Sequence, residues 1–392
     1  GGTATKANRP TMSSSVHAAA AHRNAVYNAV PTKDIRLQSQ HKISECMSQR
    51  YPFPLPADFD PTLPTIAYGV RSIDKILDVL RGFLEWGNDE ADETIKKREN
   101  NRLLLGQLST QTQKARAINS KAIAVQEQLL GDSDAEVRAI AAQVIAKLAM
   151  ERPGRVDCCS GGCVDKLCGL LKDEYEQVQS AACDALHQLS NAEEAQRFLV
   201  SEPSVVTAIV QAIPDMSAKG LNSALYTLAN LTRFEEGCDA ALEAGAVPHI
   251  VKSLTIQGTA DSAARCLVSV AGHPAGKVAA IACDALDSLE PLLIHERLET
   301  RRMAGSALVL LAVHSEGKTK SDGCVENLIK MLYDTDRDVA MNALLGLRSI
   351  AEYPMIRNQI LARLGDDQDM FVKVQRDQQI HLAANRVYAG SQ

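Results

Sequence analysis

The sequence predicts an all-α fold, a right-handed α-solenoid of about seven repeats, and three observations predict it. The first is a recurring segment: residues 243–254 (EAGAVPHIVKSL), 162–171 (GCVDKLCGLL) and 323–332 (GCVENLIKML) each place apolar residues at helical spacing after a glycine turn and end on leucine. The second is an AxxALxxL pattern after a short polar link, anchored at Leu105, Ile145, Leu186, Leu228, Leu267, Leu308 and Leu347, at intervals of 39 to 42 residues. A partner three residues later keeps the rhythm: Leu108, Leu148, Leu189, Leu231, Val270, Leu311 and Ile350. The third is composition, since AVILMFWYC make up 45% of 392 residues while aromatics are 4%. Small aliphatic side chains suit closely stacked helices.

An all-helical period of roughly 40 to 47 residues is the signature of armadillo or HEAT arrays. The Gly-Ala-Val-Pro opening at Gly245 resembles the armadillo repeat, with AxxALxxL as its third helix. A solenoid grows without a closed core, so the period overrides the two or three globular domains that the length alone would suggest.

In chain order, residues 1–56 show no useful helical period beyond an Ala-rich run near 16–21, and their Ser, Thr, Ala, Gln and Pro content predicts a flexible, extended N-terminal arm. Residues 57–93 form a Pro-rich entry segment and a capping helix. Pro52, Pro54, Pro56, Pro61 and Pro64 keep the entry extended. The helix should run from near Thr65 to Trp86, with Ile66, Val70, Ile73, Leu77 and Leu80 on one stripe, and the acidic stretch 88–93 should interrupt it. The array occupies 94–365. Pro248 sits in a first helical turn, where its missing N–H costs nothing; Pro291 falls late in the next unit's helix and should shorten it. Glycines at 154, 237, 276 and 317, each six residues past an anchor partner, read as left-handed helix terminators. Residues 366–392 read as a polar C-terminal helix and tail.

Net charge is −6 with a pI near 5.9, so no overall basic field favours nucleic acid or anionic membrane. No run of about 18 apolar residues and no secretory signal stands in the sequence, which leads to the expectation of a cytoplasmic protein. The chain opens at Gly1 rather than on a methionine, as expected where part of the N-terminus precedes it. Among ten cysteines, Cys158, Cys159, Cys163 and Cys168 invite a metal reading, but the repeat register aligns Cys163 with Ala246 and Cys324, Cys168 with Val251 and Ile329, and Cys183 with Leu225. These are sites for small apolar side chains.

Nor does catalysis have a foothold. Residues 312–319, AVHSEGKT, fit a relaxed phosphate loop, yet they follow a helix rather than a strand. HExxH, GxSxG and GxGxxG are absent, and His187 and His249 fall at non-anchor positions. Asp334 and Asp336 lie in an inter-helix link, where capping accounts for them. Lys96, Lys97 and Arg98, like Arg301 and Arg302, open third helices and read as solvated faces, or as docking points for an acidic partner. The reading is of a non-enzyme with no cofactor, metal or small-molecule substrate.

Armadillo proteins that import nuclear cargo carry a ladder of Trp two residues before the anchor and Asn two after, which clamps an extended peptide. Here the earlier positions hold Leu103, Gln143, Asp184, Tyr226, Arg265, Ser306 and Leu345, and the later ones Gln107, Lys147, Gln188, Asn230, Ser269, Leu310 and Ser349. Only Tyr226 with Asn230 comes near the pattern.

Residues 56–77, PADFDPTLPTIAYGVRSIDKIL, resemble the N-terminal signature of the armadillo-repeat radial spoke proteins of motile cilia and flagella, P-x-D-x-D-P-T-x-x-x-I-A-Y-G-x-R. Pro56, Asp58, Asp60, Pro61, Thr62, Ile66, Ala67, Tyr68, Gly69 and Arg71 match it in register. The GC-(V/M)-(D/E)-x-L openings at Cys163 and Cys324 and the link at 315–318 are similar to that family too, so the resemblance covers about residues 56–365. It implies a non-catalytic structural subunit of the axonemal radial spoke, located in the cytoskeleton of the cilium and held by other spoke proteins. Interaction residues are then expected in the entry segment (Asp58, Asp60, Pro61, Tyr68, Arg71) and on the third-helix face (Lys147, Gln188, Tyr226, Asn230). A soluble adaptor that binds an extended peptide in its groove is the alternative.

Overall fold

The computed structural model describes residues 70–86 and 91–364, all within a compact unit that starts at Thr62. The arm, the proline-rich entry, the link at 87–90 and the C-terminal helix lie outside the described residues. Every regular element described is helical. Helices α1 (Val70–Trp86) and α2 (Ala91–Gln107) come first. Three-helix units follow: α3 (Gln111–Asn119), α4 (Ala122–Leu129) and α5 (Ala135–Leu148); then α6 (Arg152–Ser160), α7 (Cys163–Leu170) and α8 (Glu176–Ser190). The next two are α9 (Glu193–Ser201), α10 (Pro203–Ala212) and α11 (Ala218–Leu231), then α12 (Glu235–Glu243), α13 (Ala246–Ser253) and α14 (Ala260–Ala271). The last are α15 (Pro274–Ala282), α16 (Ala285–Leu289) and α17 (Leu298–Leu311), then α18 (Ser315–Lys320), α19 (Val325–Met331) and α20 (Arg337–Ile350), before α21 (Pro354–Leu364).

The seven third helices, α2, α5, α8, α11, α14, α17 and α20, each pack on the next. Their anchors make the core. Ile145, Leu186, Leu228, Leu267, Leu308 and Leu347 are buried, as are their partners. The first anchor departs from the sequence reading by one residue: Leu105 is only half-buried, and Leu104 takes its place in the core with Leu108. The run Leu103-Leu104-Leu105 offers three candidates, and the spacing of 41 to Ile145 belongs to Leu104.

Local chemistry explains the breaks between helices. Asp134 caps α5 by accepting from Val137 N–H, Asp336 caps α20 by accepting from Asp338 and Val339 N–H, and Thr110 and Gln113 close a capping box on α3. Pro291 truncates α16 to five residues and leaves a 3-10 turn, Glu290–Ile294, because its ring nitrogen cannot continue the α-helical ladder.

The recurring glycines do something other than the sequence suggested. Gly154, Gly237, Gly276 and Gly317 have no left-handed backbone; each is the third residue of a first helix. A Cβ there would overlap the carbonyl oxygen of Leu148, Leu231, Val270 or Leu311, at the end of the preceding third helix. They permit a tight crossing of backbones. Among the described residues the left-handed ones are instead Gly245 and Gly258 with two non-glycines, Lys121 and Asp284, and three of these four precede a second helix.

The cysteines pack as the register requires. Cys158, Cys163, Cys183, Cys238, Cys266 and Cys324 are buried, and the nine described cysteines are free thiols. Burial pushes the thiols of Cys168 and Cys183 up to about 12, in keeping with cysteines packed as small apolar side chains. Among the described residues no grouping of His, Cys, Asp and Glu could hold a metal ion.

Candidate interaction face on the third helices

Tyr226 stands on α11 two residues before its anchor, and both neighbouring third helices reach for it. The His187 ring from α8 stacks on it at 5.3 Å with planes 13° apart, and the Arg265 guanidinium of α14 lies 5.8 Å from its centroid. The Tyr226 hydroxyl donates to Asp261 Oδ2 at 2.9 Å. Burial first, and this bond second, hold the phenol above its usual pKa, while burial holds His187 below its own, so His187 stays neutral and stacked near neutral pH. Arg265 also pairs with Glu299 of α17.

Asn230, one turn along α11, donates to Ser190 Oγ at 3.0 Å and to Asn191 Oδ1 at 3.3 Å. The one pair that approaches the peptide-clamping pattern is therefore spent on joining α8, α11 and α14. Lys147 and Gln188 are half-buried at the same register on α5 and α8. Asp58, Asp60, Pro61 and Tyr68 lie outside the described residues, and of Arg71 only the helical backbone of α1 is described.

The basic runs are not the solvated faces that the sequence suggested. Counted from the buried anchors, Lys97, Arg138 and Arg301 all stand at position −7, and each reaches an aspartate thirteen residues before the next anchor. Lys97 Nζ bonds Asp132 at 3.1 Å, Arg138 Nε bonds Asp173 at 2.8 Å, and Arg301 Nε bonds Asp334 at 2.7 Å. Arg98 and Arg302, one place on, take Asp134 and Asp336, the capping aspartates, at 2.9 and 3.0 Å from their Nε atoms. Where the second aspartate is missing, as at Tyr175, the second cation is missing too, as at Ala139. Reading each charge run by itself hid this; the signal was an Arg or Lys at −7 matched by an Asp at −13 of the following unit. His187, Asp261 and Arg265 were missed for the same reason, because their partner sits on another helix.

Between the α8, α11 and α14 helices the links are mostly neutral. Ser223 donates to Asp184 at 2.5 Å, Ser262 to Asn222 at 2.6 Å, Asn222 to Gly258 O at 2.8 Å and Ser269 to Ala229 O at 2.7 Å. Residues 312–319 run from the end of α17 into α18 with no strand before them, and Lys318 is tied to Glu352. A phosphate loop needs a strand and a free lysine there. No described helix is long and apolar enough to cross a membrane.

Comparison with known proteins agrees with this geometry. Residues 107–240 match the family of non-SMC mitotic condensation complex subunit 1 (Cnd1). The chain is 33% identical over 93 residues to the Armadillo segment polarity protein of Drosophila melanogaster and 31% identical over 93 residues to Catenin beta of Urechis caupo; each match covers 24% of this chain and 11% of that protein. Among solved structures, an engineered protein superposes with a TM-score of 0.62 at 24% identity, covering 72% of this chain and 73% of its own. A designed armadillo repeat protein in complex with a (KR)4 peptide superposes at 0.53 and 22% identity, covering 61% and 99%. With stacked helical triplets, a forty-residue period and these superpositions together, the chain has the armadillo-repeat α-solenoid fold.

Proposed function

We propose that this chain is a non-catalytic scaffold subunit of the axonemal radial spoke, holding neighbouring spoke proteins along its third-helix face and its entry segment. The signature at residues 56–71 carries the reading, because ten positions match in register and such a run is more specific than any armadillo period. The third-helix face supports it. Its polar side chains are tied between units, which suits a stiff lateral surface that transmits load. Detergent extraction of isolated axonemes tests this: the protein should stay with the axonemal pellet among spoke subunits, and its complete recovery in the soluble fraction would overturn the reading.

A second reading, a soluble adaptor that takes an extended peptide in the groove, is favoured by the fold's likeness to a designed protein that binds (KR)4. It requires Tyr226 and Asn230 to leave His187, Asp261 and Ser190. A peptide array in which one motif binds, and loses binding on Tyr226→Ala, would establish it; the scaffold reading expects no such motif. Both readings expect no nucleotide turnover for Lys318→Ala to abolish.

A further inference from the structure

One junction differs from all others in what it buries. Position −4 of the third helices is a buried alanine in six units: Ala141, Ala182, Ala224, Ala263, Ala304 and Ala343. In α2 that position is Asn100 and the next is Asn101, both fully buried. Asn100 Nδ2 donates to Lys96 O at 2.9 Å, but its Oδ1 has no partner, and neither polar atom of Asn101 has one. Helix α4, which packs on α1 and α5, repeats the anomaly. Gln126 is fully buried with both amide atoms unpartnered, at the register of Leu167, Ile250 and Leu328. In the last unit, Leu328 at that register lies with Leu308 against Gly346, at the meeting of α17 and α20. Gln126 holds the equivalent register position on α4, the helix that packs on α1 and α5.

The rim of this junction is held by charge. Asp74 of α1 takes Arg116 of α3, and on α2 Lys97, Arg98 and Arg102 reach Asp132, Asp134 and Glu136. Meanwhile Ile73, Ile76, Leu77, Leu80 and Leu104 give α1 and α2 an apolar core of their own. An amide buried without a partner recovers its hydrogen bonds when water reaches it, and the part-exposed pairs Arg116–Asp74 and Arg102–Glu136, unlike the buried Lys97–Asp132, weaken as salt screens them. Both terms lower the cost of opening here and nowhere else in the described array to this degree.

We propose that α1 and α2 form an end cap that swings open as a unit, ahead of every other described helix, with ionic strength setting how often it opens. The opening would uncover the apolar surface of α3 and α4, giving the scaffold a gated surface at its entry end. This goes beyond the scaffold reading and stands on different residues.

Hydrogen–deuterium exchange of the full chain, read by mass spectrometry at low and high salt, tests it. Amides of α1 and α2 should exchange about tenfold faster than those of α11 at low salt, with the gap widening at high salt. The triple variant Asn100→Ala, Asn101→Ala and Gln126→Leu restores the residue types of the other units, and should slow α1 and α2 by about tenfold while leaving α11 unchanged. Arg98→Gln should speed the same two helices. Equal protection of α2 and α11, or a triple variant whose α1 and α2 exchange as before, would overturn the proposal.

Discussion

The junctions near the ends of the array and those at its centre use the same helices and close them with different chemistry. From α2 to α8, and again from α17 to α20, a Lys or Arg at −7 crosses to an Asp of the next unit. At the centre, position −7 holds Gln179, Leu221 and Ala260, and the helices are joined by serines, asparagines and the His187, Tyr226 and Arg265 stack. A repeat period thus fixes which helices meet, while each junction chooses how it is sealed. Largely buried ion pairs at −7 seal the ends; apolar burial, hydrogen bonds and the flanking pairs Arg265–Glu299 and Arg297–Asp261 seal the middle.

The largest expected effect is at the centre. Leu228→Ala removes a fully buried anchor and should cost about 2 to 5 kcal/mol, and because each unit couples only to its neighbours it should split thermal melting into two steps. A single transition with an unchanged midpoint would break the claim that the centre is where apolar burial binds the halves. Next comes the ionic flank. Arg138→Ala would leave Asp173 buried and unpaired and should cost about 1 to 3 kcal/mol by urea denaturation. The central pair Lys219 and Asp184, 3.9 Å apart with a largely exposed lysine, sharpens the contrast: Lys219→Ala should change stability by less than about 0.5 kcal/mol.

Much of this was legible from sequence because burial writes itself in residue type. Six anchors, the packed cysteines, the truncation at Pro291 and the cap at Asp336 follow from local rules. What was not legible is of two kinds. The staples and the Tyr226 stack join residues about 35 to 40 positions apart, so each half looks like an ordinary surface residue until the register of two units is overlaid. The periodic glycines were visible but misassigned. Glycine serves both where φ is positive and where no Cβ fits, and these uses leave the same letter; the carbonyls of Leu148 and Leu231 decide for the second.

Acid should separate the two chemistries by pH. Arg98 beside Asp134 and Arg302 beside Asp336 hold these carboxyls below the usual range, against the opposing effect of burial. A depressed folded pKa gives stability that is complete above the unfolded value, about 3.9, and is lost as pH falls through the folded values. The ionic junctions should therefore loosen only below about pH 4. His187, whose pKa burial depresses, must be charged against that burial, so the centre should begin to lose stability earlier, as pH falls below about 6.5. Exchange in α8 and α11 that rises between those two pH values, and stays flat in His187→Gln, is the expected record; the reverse order would undo the assignment.

The smallest effect probes one left-handed backbone position that different units fill with different residue types. Lys121 (φ 59°) and Asp284 (φ 53°) hold the left-handed turn before α4 and α16 that Gly245 (φ 76°) holds before α13. A side chain in that conformation costs roughly 1 to 2 kcal/mol, and glycine's extra freedom when unfolded gives back about 0.4 to 1. Lys121→Gly should thus stabilise by about 0.5 kcal/mol, read as a rise in the urea midpoint. Asp284→Gly should come out near zero, because aspartate tolerates the left-handed region better than lysine and because Asp284 accepts from Lys320 Nζ at 2.9 Å, a largely exposed pair worth at most about 1 kcal/mol. If Asp284→Gly stabilises more than Lys121→Gly, that ion pair contributes nothing and charge in the later half is ornamental; if the order holds, even an exposed pair there shares in closing the junction between α16 and α18.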